Sequence, residues 1–151
     1  MNNVSCDYYF PKPVWRSSLA KDIELEPIVD QIYRLEKKNK SRQKSNRGLL
    51  GFQSEDFKYD ADRKDDALND LLFHVGSLVQ AIHQTDRRGE VVLSNAWCNI
   101  NRKDGMNIPH THPGSMYSGV VWLKASEGAG EFVIQENDDR IMIQAEPWYG
   151  R

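Results

Sequence analysis

Two imidazoles stand two residues apart in His110-Thr111-His112, inside Ile108-Pro109-His110-Thr111-His112-Pro113-Gly114-Ser115. In an extended segment, side chains at i and i+2 share a face, so both rings can reach one ion. Neutral imidazole is a borderline ligand that suits Fe, Zn, Cu or Ni. An ion held from two neighbouring positions keeps coordination sites open, and open sites permit chemistry. Two of the chain's 4 histidines lie in this tripeptide, which weighs against accident. The flanking prolines stiffen the segment, and the run Tyr117-Ser118-Gly119-Val120-Val121-Trp122-Leu123 that follows reads as a strand. That places both rings at the mouth of a sheet, where a β-sandwich or barrel holds its site.

Three arrangements use such a pair. A cupin has a glycine shortly before the first histidine and a glutamate shortly after the second. Gly105 suits the former, but Met116 and Tyr117 stand where the glutamate belongs. A zinc hydrolase needs further His, Cys or Asp nearby, and only Asp138 and Asp139 follow, in a position where a carboxylate is more often a turn former. The third is the facial triad of non-haem Fe(II) oxygenases, which leaves three positions for cosubstrate and dioxygen.

At 151 residues and 17.4 kDa the chain is expected to form one domain. A net charge of -2 gives no general electrostatic reason to bind nucleic acid or an anionic membrane. The basic run Lys37 to Arg47 lacks interleaved aromatics and reads as a solvated loop or helix end. No apolar stretch approaches ~20 residues and no signal peptide is legible, so a cytoplasmic protein is expected. Cys6 and Cys98 are read as reduced thiols.

The elements that must position the histidines divide near Gly89. Before it, Ile28, Ile32, Tyr33 and Leu35, with Pro27 in the first turn, predict a helix that decays by Lys40. The segment from Ser45 to Ser54 reads as a structured loop with a brief strand. Leu68, Leu71, Leu72, Val75, Leu78, Val79 and Ile82 predict a long amphipathic helix, on which His74 and His83 read as surface or helix-face histidines. After Arg87-Arg88-Gly89 the pattern is β. Glu90 to Asn101 alternates as a long or bulged strand, Lys103-Asp104-Gly105 is a turn, and three more strands are expected over Tyr117 to Lys124, Glu131 to Gln135 and Arg140 to Gln144. The expectation is an α+β fold in a single domain, residues 1–151. A mainly helical part, 1–88, lays its long helix on an antiparallel sheet formed by 89–151.

Taken in order, Trp97-Cys98-Asn99-Ile100-Asn101, Gly105, His110-Thr111-His112-Pro113-Gly114-Ser115, Ser118-Gly119-Val120-Val121-Trp122-Leu123, Gly130 and Phe132 resemble the 2-oxoglutarate- and Fe(II)-dependent dioxygenases, in an uncharacterised bacterial and phage branch. Phe10 to Trp15 and the Ser45 to Ser54 segment are similar to that branch too. The resemblance implies a double-stranded β-helix, a cupin-like jelly roll with helices on one sheet, of which residues 89–151 form the first half. It implies Fe(II) as metal, 2-oxoglutarate as cosubstrate, and O2-dependent oxidation, usually hydroxylation, of a second substrate.

On that resemblance His110 and His112 hold the iron, while Asn99, Tyr117 and Trp122, together with Trp97, wall the cosubstrate or prime-substrate space. His112 stands where more familiar relatives carry Asp or Glu, which removes one negative charge from the metal's surroundings. No histidine follows His112, and Arg140 and Arg151 do not occupy the usual late-strand position of the cosubstrate anchor. The distal histidine and that anchor are therefore expected beyond Arg151, leaving this chain without catalytic competence by itself and with edge strands that invite a homo-oligomer. The rival reading is a non-enzymatic jelly-roll binding module that kept the sheet and lost the chemistry. A cupin-type zinc or manganese isomerase or hydrolase ranks behind it.

Overall fold

The apolar spacing of the first half closes into two helices in a computed structural model that describes residues 13–19, 23–39, 51–63, 65–86, 89–136 and 139–144. Helix α1 spans Leu25–Lys38 and buries Ile28 and Ile32, one turn apart on a single face. Lys37 and Lys38 lie in its last turn, where cations complement the exposed carbonyls. Asn39 ends the helix, its backbone N–H and its side-chain amide both donating to the Leu35 carbonyl. Most of the basic run, like Cys6 and Phe10 to Lys12, lies outside the described residues.

Helix α2, Ala67–Asp86, starts at a polar joint. Asp66 Oδ1 accepts the N–H of Asn69 (3.1 Å), an N-cap geometry, and also accepts Gln31 Nε2 from α1 (2.9 Å). Gln31 Oε1 in turn accepts the Leu68 N–H at 3.2 Å. One glutamine thus ties the middle of α1 to the start of α2. Buried Asn69 accepts the Asp60 N–H and donates to the carbonyls of Asp60 and Arg63, shaping the loop that enters the helix. At the far end Gln80 holds the chain leaving the helix, donating to the Gly89 carbonyl and accepting the Val91 N–H.

Ile28 and Ile32 of α1, Leu68 and Leu71 of α2, and Cys98 form one buried cluster, with Phe57, Val75, Ile100 and Leu123 packed around it. The expected alternation is visible here: Cys98 and Ile100 turn to the helices while Asn99 is exposed. The long strand expected over 90–101 is much shorter. Strand β1, Gly51–Gln53, pairs antiparallel with β2, Asn99–Asn101, in the register Gly51 to Asn101 and Phe52 to Ile100. The pairing extends back only through Ser54 to Cys98 and a bridge between Phe57 and Ala96. Alternation marks a half-buried surface, but a ladder needs a partner, and 51–57 supplies one only from Ala96 onward. The brief strand expected within 45–54 is that partner, while residues 45–50 lie outside the described residues.

Strands β3, Glu131–Glu136, and β4, Asp139–Gln144, form an antiparallel hairpin with Glu136 opposite Asp139, as the sequence predicts. The turn after β2 is also as expected: the Gly105 N–H donates to the Arg102 carbonyl, and Asp104 takes φ 64°, a left-handed conformation that aspartate tolerates. Arg102 reaches back to α1 in a 2.6 Å ion pair with Glu36. No ladder among the described residues includes 117–124, which were expected to form a strand, and Val120, Val121 and Trp122 are exposed. The described architecture is α+β, two helices with two two-stranded antiparallel sheets. No helix among the described residues is long and apolar enough to cross a membrane.

Candidate metal centre

The segment 106–112 belongs to no helix or strand and is held by its own local chemistry. His112, Pro113, Gly114 and Ser115 make a tight turn in which the Ser115 N–H donates to the His112 carbonyl at 3.1 Å. Proline fixes the second position and Gly114 takes φ 82° at the third, the combination of a type II turn. Glycine is needed there, because a side chain at that φ is strained. The turn sets where His112 leaves the backbone.

His110 is fixed from the other side. Its Nδ1 lies 2.8 Å from the Ile108 carbonyl oxygen. A carbonyl only accepts, so Nδ1 carries the proton and Nε2 keeps its lone pair for a ligand. Metal-bound histidines are commonly oriented by this second-nitrogen bond, which also raises the basicity of the ligating nitrogen. Both imidazoles are exposed, with ring centroids 4.8 Å apart and planes at 74°. Two imidazoles bound to one ion through nitrogens about 2.1 Å away, at right angles, have centroids roughly 4.6 Å apart. The observed separation is close to that value, with the two rings in edge-to-face contact. Among the described residues, no group of three His, Cys, Asp or Glu side chains forms a complete site. Asp138 lies outside the described residues.

Trp97 stands next to the pair, its ring 5.4 Å from that of His112 and tilted by 37°. Tyr117 points elsewhere. Its hydroxyl lies 3.1 Å from Nδ1 of His83 on α2, and its ring makes edge contacts with His83 and with Trp15, each at 5.9 Å. His83 is only 4% exposed, so of the two expected readings, surface or helix-face, it takes the helix-face one. It joins α2 to the chain five residues beyond His112. His74 lies against Phe73 at 5.6 Å. Asn99 sits exposed on β2 opposite Gln53, and Trp122 packs edge-on to Phe132 of β3 at 6.1 Å. Among the described residues, no ring contact or hydrogen bond joins Asn99, Tyr117 or Trp122 to either imidazole of the pair.

Sequence reasoning missed His83 and the Gln31–Asp66–Asn69 joint. The spacing of His83 on the helix carries no sign of Tyr117, whereas Asp66 three residues before Asn69 is a legible capping signal. Cys98 is buried beside Trp97 in the chain, and burial pushes its thiol up to about 12, so at neutral pH it is a protonated core residue.

No curated protein and no solved structure matches the chain. Residues 95–149 match the family model described as "Putative 2OG-Fe(II) oxygenase". The matched stretch begins two residues before Trp97 and contains both histidines, the turn after them and the β3–β4 hairpin. Over those residues, about a third of the chain, the sequence is similar to that family.

Proposed function

We propose that the chain carries the iron-binding part of a 2-oxoglutarate- and Fe(II)-dependent oxygenase, with His110 and His112 as metal ligands. The observation that carries this reading is the pair itself: two imidazoles at a spacing suited to one ion, one with its Nε2 freed by the Ile108 carbonyl, inside the stretch that matches the family. Bound Fe(II) would supply dioxygen activation coupled to 2-oxoglutarate decarboxylation and oxidation of a second substrate.

The chain's own residues would divide the work as follows. His110 and His112 present neutral nitrogens, so they leave the ion's full positive charge to attract the dicarboxylate cosubstrate. Asn99, Tyr117 and Trp122, none of them in contact with the pair, would wall the part of the cosubstrate or prime-substrate space away from the two imidazoles. Tyr117 does so with its hydroxyl steadied by His83, which limits its motion toward solvent. The jelly roll is the fold of this reading. The exposed row Val120, Val121 and Trp122 supports it, because such a row gains by being covered with further sheet. On this reading the protein works in the cytoplasm without a nucleic-acid or membrane partner, its prime substrate being a small molecule, a protein side chain or a nucleotide base, and sheet edges favour a homo-oligomer.

Anaerobic titration with Fe(II), followed by 2-oxoglutarate, tests the proposal by visible absorption. A band that requires both additions, and that His110→Ala and His112→Ala each abolish, is expected. An unchanged spectrum on adding 2-oxoglutarate, or the same band in both variants, overturns it.

A further inference from the structure

We infer that Trp97 is a positioning residue for the metal centre: its indole is the fixed surface against which the His112 imidazole is held before a metal arrives. The inference rests on the reading of His110 and His112 as ligands. His112 needs such a surface, because no hydrogen bond among the described residues fixes its ring, while His110 has the Ile108 carbonyl. Its exposed side chain stands at the entry to a turn, where rotamer freedom is high and must be surrendered on binding.

Trp97 is suited to the task because its backbone is pinned on both sides. Before it, Ala96 exchanges two hydrogen bonds with Phe57, at 2.8 and 3.0 Å. After it, the Cys98 carbonyl accepts the Ser54 N–H and the Cys98 N–H donates to Ser54 Oγ, both at 2.9 Å. Cys98 is itself part of the buried helix-facing cluster. Alternation then turns Trp97 away from that core and toward the histidine loop. The ring separation of 5.4 Å lies in the range of attractive aromatic contacts. An imidazole preset in this way binds the ion with less loss of freedom, and so more tightly.

Equilibrium Co(II) binding, read by visible absorption, tests this on the full chain with Trp97→Phe and Trp97→Leu. Both replacements are apolar and smaller than tryptophan, but only phenylalanine keeps a flat aromatic face. Trp97→Leu is expected to weaken Co(II) binding roughly three- to tenfold, and Trp97→Phe to stay within about twofold of the wild type. In the metal-free protein, the ring-current shift of the His112 imidazole protons is expected to persist in the Phe variant and vanish in the Leu variant. Wild-type affinity in Trp97→Leu, or equal weakening in both variants, overturns the inference while leaving the ligand reading intact. Co(II) binding that survives His112→Ala overturns the ligand reading, and the inference with it.

Discussion

Which nitrogen of His110 keeps a free lone pair is decided by a backbone carbonyl two residues away. The metal-free protein should therefore show His110 as the neutral tautomer protonated at Nδ1, by nitrogen NMR; the opposite tautomer would contradict the geometry. Tyr117 and His83 form the second polar contact near the loop. Tyr117→Phe removes the hydroxyl from a buried imidazole and should cost about 1–3 kcal/mol in urea unfolding, the cost of leaving a buried polar group unpaired. At this scale the closeness of the two imidazoles was legible because it follows from a spacing of two residues. The Tyr117–His83 contact spans 34 positions and was not, since nothing local to either residue names the other.

Between elements, the decisive contact is the narrow join of β1 to β2. A Cβ on Gly51 would collide with the Ile100 carbonyl oxygen, which belongs to the paired backbone and cannot swing away. Gly51→Ala should thus lower the thermal midpoint measurably, while Gly76→Ala, with open space at its Cβ inside α2, should hold or raise it. The helices were readable because a 3.6-residue apolar period is a property of the segment alone. Strands were readable only in part. The β3–β4 hairpin has its partner close in sequence, whereas Glu90 to Asn101 depends on a distant and short one, and its alternation overstated its length. The turn at Asp104 was read from Lys103-Asp104-Gly105, whereas the turn at Gly114 was not, although Gly114 also takes a left-handed backbone.

For the molecule as a whole, Cys98 links the core to pH. Burial raises its thiol from 9.0 to about 12. Below 9 the thiol is protonated in both folded and unfolded chains, and stability is complete. Above it the unfolded chain releases the proton while the folded one holds it, so stability falls as pH rises toward 12. Cys98→Ala should lose less stability than the wild type between pH 9 and pH 11 in urea titrations; parallel losses would contradict the burial. Trp97, next to this buried thiol, carries the rigidity of the helix-backed core out to the histidine loop. The central claim, that His110 and His112 hold one metal together, is tested most directly by anaerobic equilibrium dialysis against Fe(II). The account predicts about one Fe(II) per chain, lost in His110→Ala/His112→Ala with the fold intact by circular dichroism. Equal iron content in the wild type and the double variant would contradict it.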